Sequence, residues 1–172
     1  MKNNFIILLL FAFTLSACYR KTENKSKFVA TVIDSVSLLS RSQVDTLQKN
    51  MAKIEKEYGP QLAILIVDSI RGKSVADYSL RMAESFRLGR PIYNDGLLIV
   101  IATHQKTGRI EVGAGLERII TDEISGRINR DQLFPHFKEG DYYGGLQAGI
   151  EKIHQYIREK PKLIGKSLRD KI

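Results

Sequence analysis

Three carboxylates stand close together in the middle of this 172-residue chain: Asp95, Glu117 and Asp122. Asp95 comes just before Leu97–Ala102, a continuous apolar run that reads as a buried strand. Arg109–Val112 alternates and is expected to pair back on it antiparallel. Such a pairing sets Asp95 and the Gly113-Ala-Gly115 loop at one end of a sheet, with Glu117 and Asp122 just beyond. Oxygen ligands without a thiolate or paired imidazoles suit a hard cation, Ca²⁺ or Mg²⁺. Each residue also has a plainer role open to it. Asp95 fits an Asn-Asp-Gly turn, Glu117 a solvated surface, and Asp122 a helix N-cap. Backbone amides at Gly113–Gly115 could cradle an anion. The third glycine of a dinucleotide fingerprint is missing and so is a phosphate-loop lysine pattern, so a tight turn is expected. His104, His136 and His154 fall in separate elements, outside any nucleophile motif. Metal-held water is then the plausible attacking group if a phosphate ester is hydrolysed.

The elements that must position these groups follow from periodicity. Phe28–Ile33 is a short β-branched run ending at Asp34. Ser40-Arg-Ser-Gln43 is a capping box. Val44, Leu47, Met51, Ile54 and Tyr58 then recur on one helical face, and Gly59-Pro60 stops the helix. Leu62–Val67 is a second continuous apolar run, too short for a helix. Ser74 can cap a helix that buries Val75, Tyr78, Met82 and Phe86 and ends before Gly89 and Pro91. Lys106-Thr107-Gly108 reads as a turn. A third helix is expected from Thr121 or Asp122, turning Ile124 and Ile128 inward. A fourth starts at Asp141, carries Leu146, Ile150, Ile153 and Ile157, and ends at Pro161. Alternating strands and helices predict an α/β fold, a small mixed central sheet flanked by helices. The two apolar runs are expected to lie centrally and parallel, with a right-handed crossover through residues 74–88.

The net charge of +8 belongs to the ends. Residues 28–156 hold 16 basic and 16 acidic side chains, whereas 19–27 carry a net +3 and 157–172 a net +4. Without a basic stripe interleaved with aromatics, a nucleic-acid-binding face is not expected. Phe5–Leu15 is apolar but spans only 11 residues, whereas crossing a bilayer takes roughly 20 helical residues. It matches the core of a secretory signal peptide. Leu15-Ser16-Ala17-Cys18 resembles the lipobox of bacterial lipoproteins, in which small residues precede a thiol that takes up a diacylglyceryl group. The expected organisation is a signal peptide over 1–17, a lipidated Cys18 with a polar tether over 18–27, a domain over 28–157, and a basic tail over 158–172. Several acyl chains anchor stably, each buried CH₂ contributing ~0.8 kcal/mol. An extracytoplasmic protein held on a membrane through Cys18 is expected, on the outer membrane or the periplasmic face of the inner one. Tyr19 is not the Asp that often marks inner-membrane retention.

Four segments carry a family resemblance: Val32-Ile-Asp-Ser-Val-Ser-Leu-Leu-Ser40, Asn94-Asp-Gly-Leu-Leu-Ile-Val-Ile-Ala102, Arg109-Ile-Glu-Val-Gly-Ala-Gly-Leu-Glu117 and Phe137-Lys-Glu-Gly-Asp-Tyr-Tyr-Gly-Gly-Leu146. In this order they resemble the TPM domain, over roughly residues 28–157. The chain departs from the usual pattern at Arg87-Leu88-Gly89, where many members carry an aromatic-Gly pair. The resemblance implies a three-layer α/β/α sandwich and a divalent-cation site, and adds Asp34 as a fourth candidate ligand. Some plant members are acid phosphatases. Two readings follow. One is a membrane-anchored binding or assembly module with an envelope protein as partner, in which any cation serves structure. The alternative is a metal-assisted acid phosphatase acting on phosphate monoesters.

Overall fold

The computed structural model describes residues 30–166. The signal peptide, Cys18 and the tether expected from the sequence lie outside these residues, as does the end of the basic tail. In chain order the elements are β1 (Thr31–Asp34), α1 (Arg41–Tyr58), β2 (Gln61–Val67), α2 (Val75–Phe86), β3 (Gly96–Ala102) and β4 (Thr107–Val112). Then come α3 (Asp122–Ile128), a π-helical turn (Asn129–Leu133), α4 (Phe134–Lys138), α5 (Tyr142–Glu159) and a 3₁₀ turn (Pro161–Leu163). Among the described residues no helix is long and apolar enough to cross a membrane.

One four-stranded sheet runs in the order β1-β2-β3-β4. β1, β2 and β3 are parallel, and β4 returns antiparallel on β3. All seven residues of β3 are buried, as expected of a strand covered on both faces. Alternate residues of β2 and β3 build two different cores. Leu62, Ile64, Ile66, Leu97, Ile99 and Ile101 meet Leu47, Met51 and Ile54 of α1 and Leu146, Ile150, Ile153 and Ile157 of α5. Ala63, Leu65, Leu98 and Val100 face the other way, onto Tyr78, Met82 and Phe86 of α2. Helices therefore cover both faces and the fold is the three-layer α/β/α sandwich. α1 and α2 lie on opposite faces although β1, β2 and β3 step across the sheet in one direction. The two crossovers consequently have opposite hands, and one of them departs from the right-handed rule.

Local chemistry sets the boundaries. Ser40 accepts from the Gln43 amide at 3.3 Å while the Gln43 side chain accepts from the Ser40 amide at 2.8 Å, closing the capping box of α1. Ser74 caps α2 and Asp141 caps α5. Two expectations need correction. The turn into β4 lies before Thr107, because Lys106 itself takes a left-handed φ of 50° and Gly108 already pairs with Ile101. Between α3 and α5 the chain makes a π-helical turn, where the Phe134 amide donates to the Asn129 carbonyl, and then a further short helix. Pro135, which lacks an amide hydrogen, sits in the first turn of that helix, where none is needed.

Candidate functional site

The segment joining α2 to β3 takes positive φ at three residues that are not glycine: Arg87 (51°), Ile92 (76°) and Asn94 (48°). Within it the Arg90 carbonyl accepts from the Tyr93 amide at 3.1 Å and from the Asn94 amide at 2.9 Å. Pro91 in second place and a positive φ in third match a type II turn, whose third place ordinarily takes glycine. Here it holds Ile92. A β-branched residue in this region is an outlier and costs ~1–3 kcal/mol. Burial does not offset that cost, because Ile92 is 93% exposed.

Asp95 holds the turn in place. Its Oδ1 accepts from the Arg90 amide at 2.8 Å, and its Oδ2 accepts from Arg90 Nε at 2.8 Å and a terminal guanidinium nitrogen at 2.5 Å. The carboxylate is fully buried, whereas 35% of the Arg90 side chain remains exposed. The guanidinium also stacks over the Tyr93 ring, 4.1 Å from its centroid. Gln61, at the start of β2, grips both ends of the segment. Its amide donates to the Asp95 carbonyl at 3.1 Å, and its side-chain oxygen accepts from the Gly89 amide at 3.0 Å. From the far side the Gly115 amide donates to the Asn94 carbonyl at 2.9 Å. A Cβ on Gly115 would fall on the Tyr93 carbonyl oxygen, so only glycine allows this approach. The result is a rigid clamp that pushes an apolar tip, Pro91–Tyr93, into solvent.

The structure sets the four expected metal ligands in different surroundings. Asp95 does share one sheet end with the Gly113–Gly115 loop, but its oxygens are turned inward onto Arg90. Asp34 lies at the opposite end of the sheet, paired in register with Ile66. Its oxygens accept from the Val36 amide at 3.2 Å and the Leu39 amide at 2.8 Å, which shapes the entry to α1. Asp122 is exposed in the first turn of α3, and the N-cap there is Thr121, which accepts from the Ile124 amide at 3.2 Å. Glu117 is half-buried in the turn after Gly115. Among the described residues no three of His, Cys, Asp and Glu gather where they could hold one metal ion. The amides of Gly113, Gly115 and Leu116 are spent on backbone carbonyls, so the loop is a tight turn rather than an anion cradle.

Two polar contacts fall outside what the spacing of residues predicts, Ser79 with Glu111 and His136 with the capping Asp141. Ser79, fully buried on α2, lies 2.7 Å from Glu111 Oε2, which also accepts from Arg109 Nε at 2.8 Å. This ties α2 to β4 from inside. At the start of α5, Asp141 accepts from the Gly144 amide at 2.8 Å and contacts His136 Nδ1 at 2.9 Å. The Gly144 amide foremost, and then His136, hold the Asp141 carboxyl below its usual range. Arg90 is the ion-pair partner of Asp95 that spacing does not reveal. Its one sequence signal is Arg-Pro-x-x-Asn-Asp without a glycine after the proline, which marks a turn clamped from elsewhere.

A sequence profile described as the TPM domain matches residues 32–156. Three solved solution structures share the architecture. The N-terminal domain of a protein from P. gingivalis aligns with a TM-score of 0.70 at 30% identity, covering 76% of this chain and 83% of that one. The BA42 protein from the psychrophilic bacterium Bizionia argentinensis gives 0.64 at 19%, covering 76% and 87%. The N-terminal domain of the cg2496 protein from Corynebacterium glutamicum gives 0.62 at 14%, covering 87% and 90%. The latter two speak to the fold alone. No curated protein matches the chain.

Proposed function

The chain belongs to the TPM domain family, and from that premise we propose that it is a binding module of the bacterial envelope. Lipidated Cys18 tethers it to the membrane surface, and the Pro91–Tyr93 tip docks an apolar recess on a partner protein. The observation that carries this reading is Ile92, a β-branched residue held at φ 76° in a glycine position and 93% exposed. Strain that folding does not require persists where the surrounding structure over-determines it, and such places cluster at binding sites. A rigid apolar anchor beside an arginine-stacked tyrosine is also what interface hot spots are made of. A metal-assisted phosphatase centred on Asp95 would first have to detach the carboxylate from Arg90, at the cost of opening the clamp.

A photoreactive residue placed at 92 in the lipidated protein, in its own membrane, tests the reading. One discrete adduct is expected from position 92 and none from position 49 on the exposed face of α1. Equal labelling from both positions, or none from 92, overturns it. Cys18→Ala is expected to abolish lipid labelling and leave an unprocessed precursor, and a fully lipid-labelled product would contradict the anchor.

A further inference from the structure

Beyond the carboxyl end of β3, at the opposite end of that strand from the clamp, lies a cavity of about 570 Å³. That volume falls within the range of small-molecule sites, and the position is where open α/β sheets usually bind ligands. Its inner wall is aromatic. Phe134 meets Phe137 edge-on at 6.3 Å, and Phe137 stacks on Tyr142 at 5.1 Å with 25° between the planes. Three cationic side chains from three separate elements complete the lining: Lys106 from the β3–β4 turn, Arg130 from the π-helical turn, and Lys138 from the end of α4. The lining contains no carboxylate. Asp131, next to Arg130 in sequence, pairs with Arg130 Nε at 3.0 Å outside the lining. Asp141, beyond Gly140, is turned onto His136 and Gly144. Single-turn π insertions in α-helical segments are frequent at functional sites, and this one supplies a cation to the cavity.

We infer that this cavity binds a small planar anion, an aromatic body carrying a sulfonate, carboxylate or phosphate group. The rings take the planar body, and Lys106, Arg130 and Lys138 take the charge. Neither half of the site suffices alone. A neutral aromatic leaves the cationic side chains of the lining without an anion, and an inorganic anion leaves the aromatic wall in water. The inference is independent of the docking tip, since the two sites share no residue.

Titration calorimetry on the full chain in nonionic detergent tests it, with 1-naphthalenesulfonate as probe and 1-naphthol and inorganic sulfate as its two halves. Saturable one-to-one binding of 1-naphthalenesulfonate is expected, at least tenfold tighter than either half. The exposed pair Lys106→Ala/Lys138→Ala should weaken it at least tenfold, leave 1-naphthol unchanged, and keep the melting temperature. Equal binding of 1-naphthol and 1-naphthalenesulfonate overturns the inference, as does sulfate binding as well as the full probe. Undiminished binding by the double variant, or no heat at millimolar probe, does the same. Tyr142→Ala, at an only half-buried ring, supplies a second check and should weaken both aromatic probes but not sulfate.

Discussion

Replacing Ile92 by glycine should make the protein more stable, although the change deletes an entire aliphatic side chain. The residue sits at φ 76°, where a β-branched side chain costs ~1–3 kcal/mol. Glycine takes that conformation freely, at an entropic cost on folding of ~0.5–1 kcal/mol. With Ile92 93% exposed, truncation forfeits almost no buried apolar surface. The balance is a gain of about 1 kcal/mol, equivalent to a rise in melting temperature of roughly 4 °C for a domain of this size. Ile92→Ala keeps a Cβ in the same crowded backbone region, and its gain should be smaller. Differential scanning calorimetry on the three proteins at pH 7 reads the order directly: glycine highest, alanine between, isoleucine lowest. A glycine variant that melts below the parent would refute the strain argument, and with it the reason for seeing a selected contact at position 92. If Ile92→Gly gains stability while a photoreactive residue placed at the neighbouring position 93 forms an adduct in the parent and none in the glycine variant, stability and binding oppose each other at one residue, a common trade-off at functional positions.

Three further outcomes follow from the clamp and the caps. Arg90→Ala and Asp95→Ala should each lower stability by about 3 kcal/mol, the low end for breaking a buried pair because Arg90 keeps part of its side chain in water. Chemical denaturation of the double variant should show a loss well below the sum of the two, and strictly additive losses would mean the ion pair does not couple them. Gly115→Ala sets a Cβ on the Tyr93 carbonyl and should cost roughly 1–3 kcal/mol through forced separation of the two loops, read as an earlier melt. Asp141→Ala tests the pH dependence. A carboxyl held below its usual range contributes stability at neutral pH that fades as pH falls below the ordinary aspartate value of about 3.9. The variant should therefore melt below the parent at pH 7, and the two curves should converge in acid. A gap that stays constant down to pH 2 would exclude the charge as its source.

Hydrophobic continuity makes β2 and β3 legible in the sequence alone, because a strand buried on both faces leaves no polar alternation to obscure it. Ser40, Ser74 and Asp141 are legible as caps for an equally local reason: each satisfies amides within three residues of itself. What the sequence hides depends on partners or on unusual backbone. The position of Asp95, at the sheet end with the Gly113–Gly115 loop, follows from strand pairing. Its engagement with Arg90 does not, because a pair five residues apart within a loop obeys no helical or strand period. The turn before β4 starts earlier than Lys106-Thr107-Gly108 suggests, since Lys106 and not glycine supplies the positive φ. α4 escapes a periodicity argument because Phe-Pro-His-Phe-Lys is too short to show a period. The hand of the crossovers is likewise hidden. The right-handed rule is a statistical preference, and a continuous apolar run does not say on which face each helix lands.

The two cores of the sheet are unequal. Two long helices and the segment around α3 cover one face. α2 alone covers the other, resting on Ala63, Leu65, Leu98 and Val100, with Leu80 half out in solvent. Thermal fluctuations should therefore release α2 as a unit well before the rest of the domain opens. Its amide hydrogens should exchange with solvent water ahead of those in α1 and α5. Each such opening bares an aliphatic sheet surface, on which two copies caught in that state would meet face to face. The hydrogen bond from buried Ser79 to half-buried Glu111 fastens α2 to β4 and opposes that opening, so its loss should raise the tendency of the protein to self-associate.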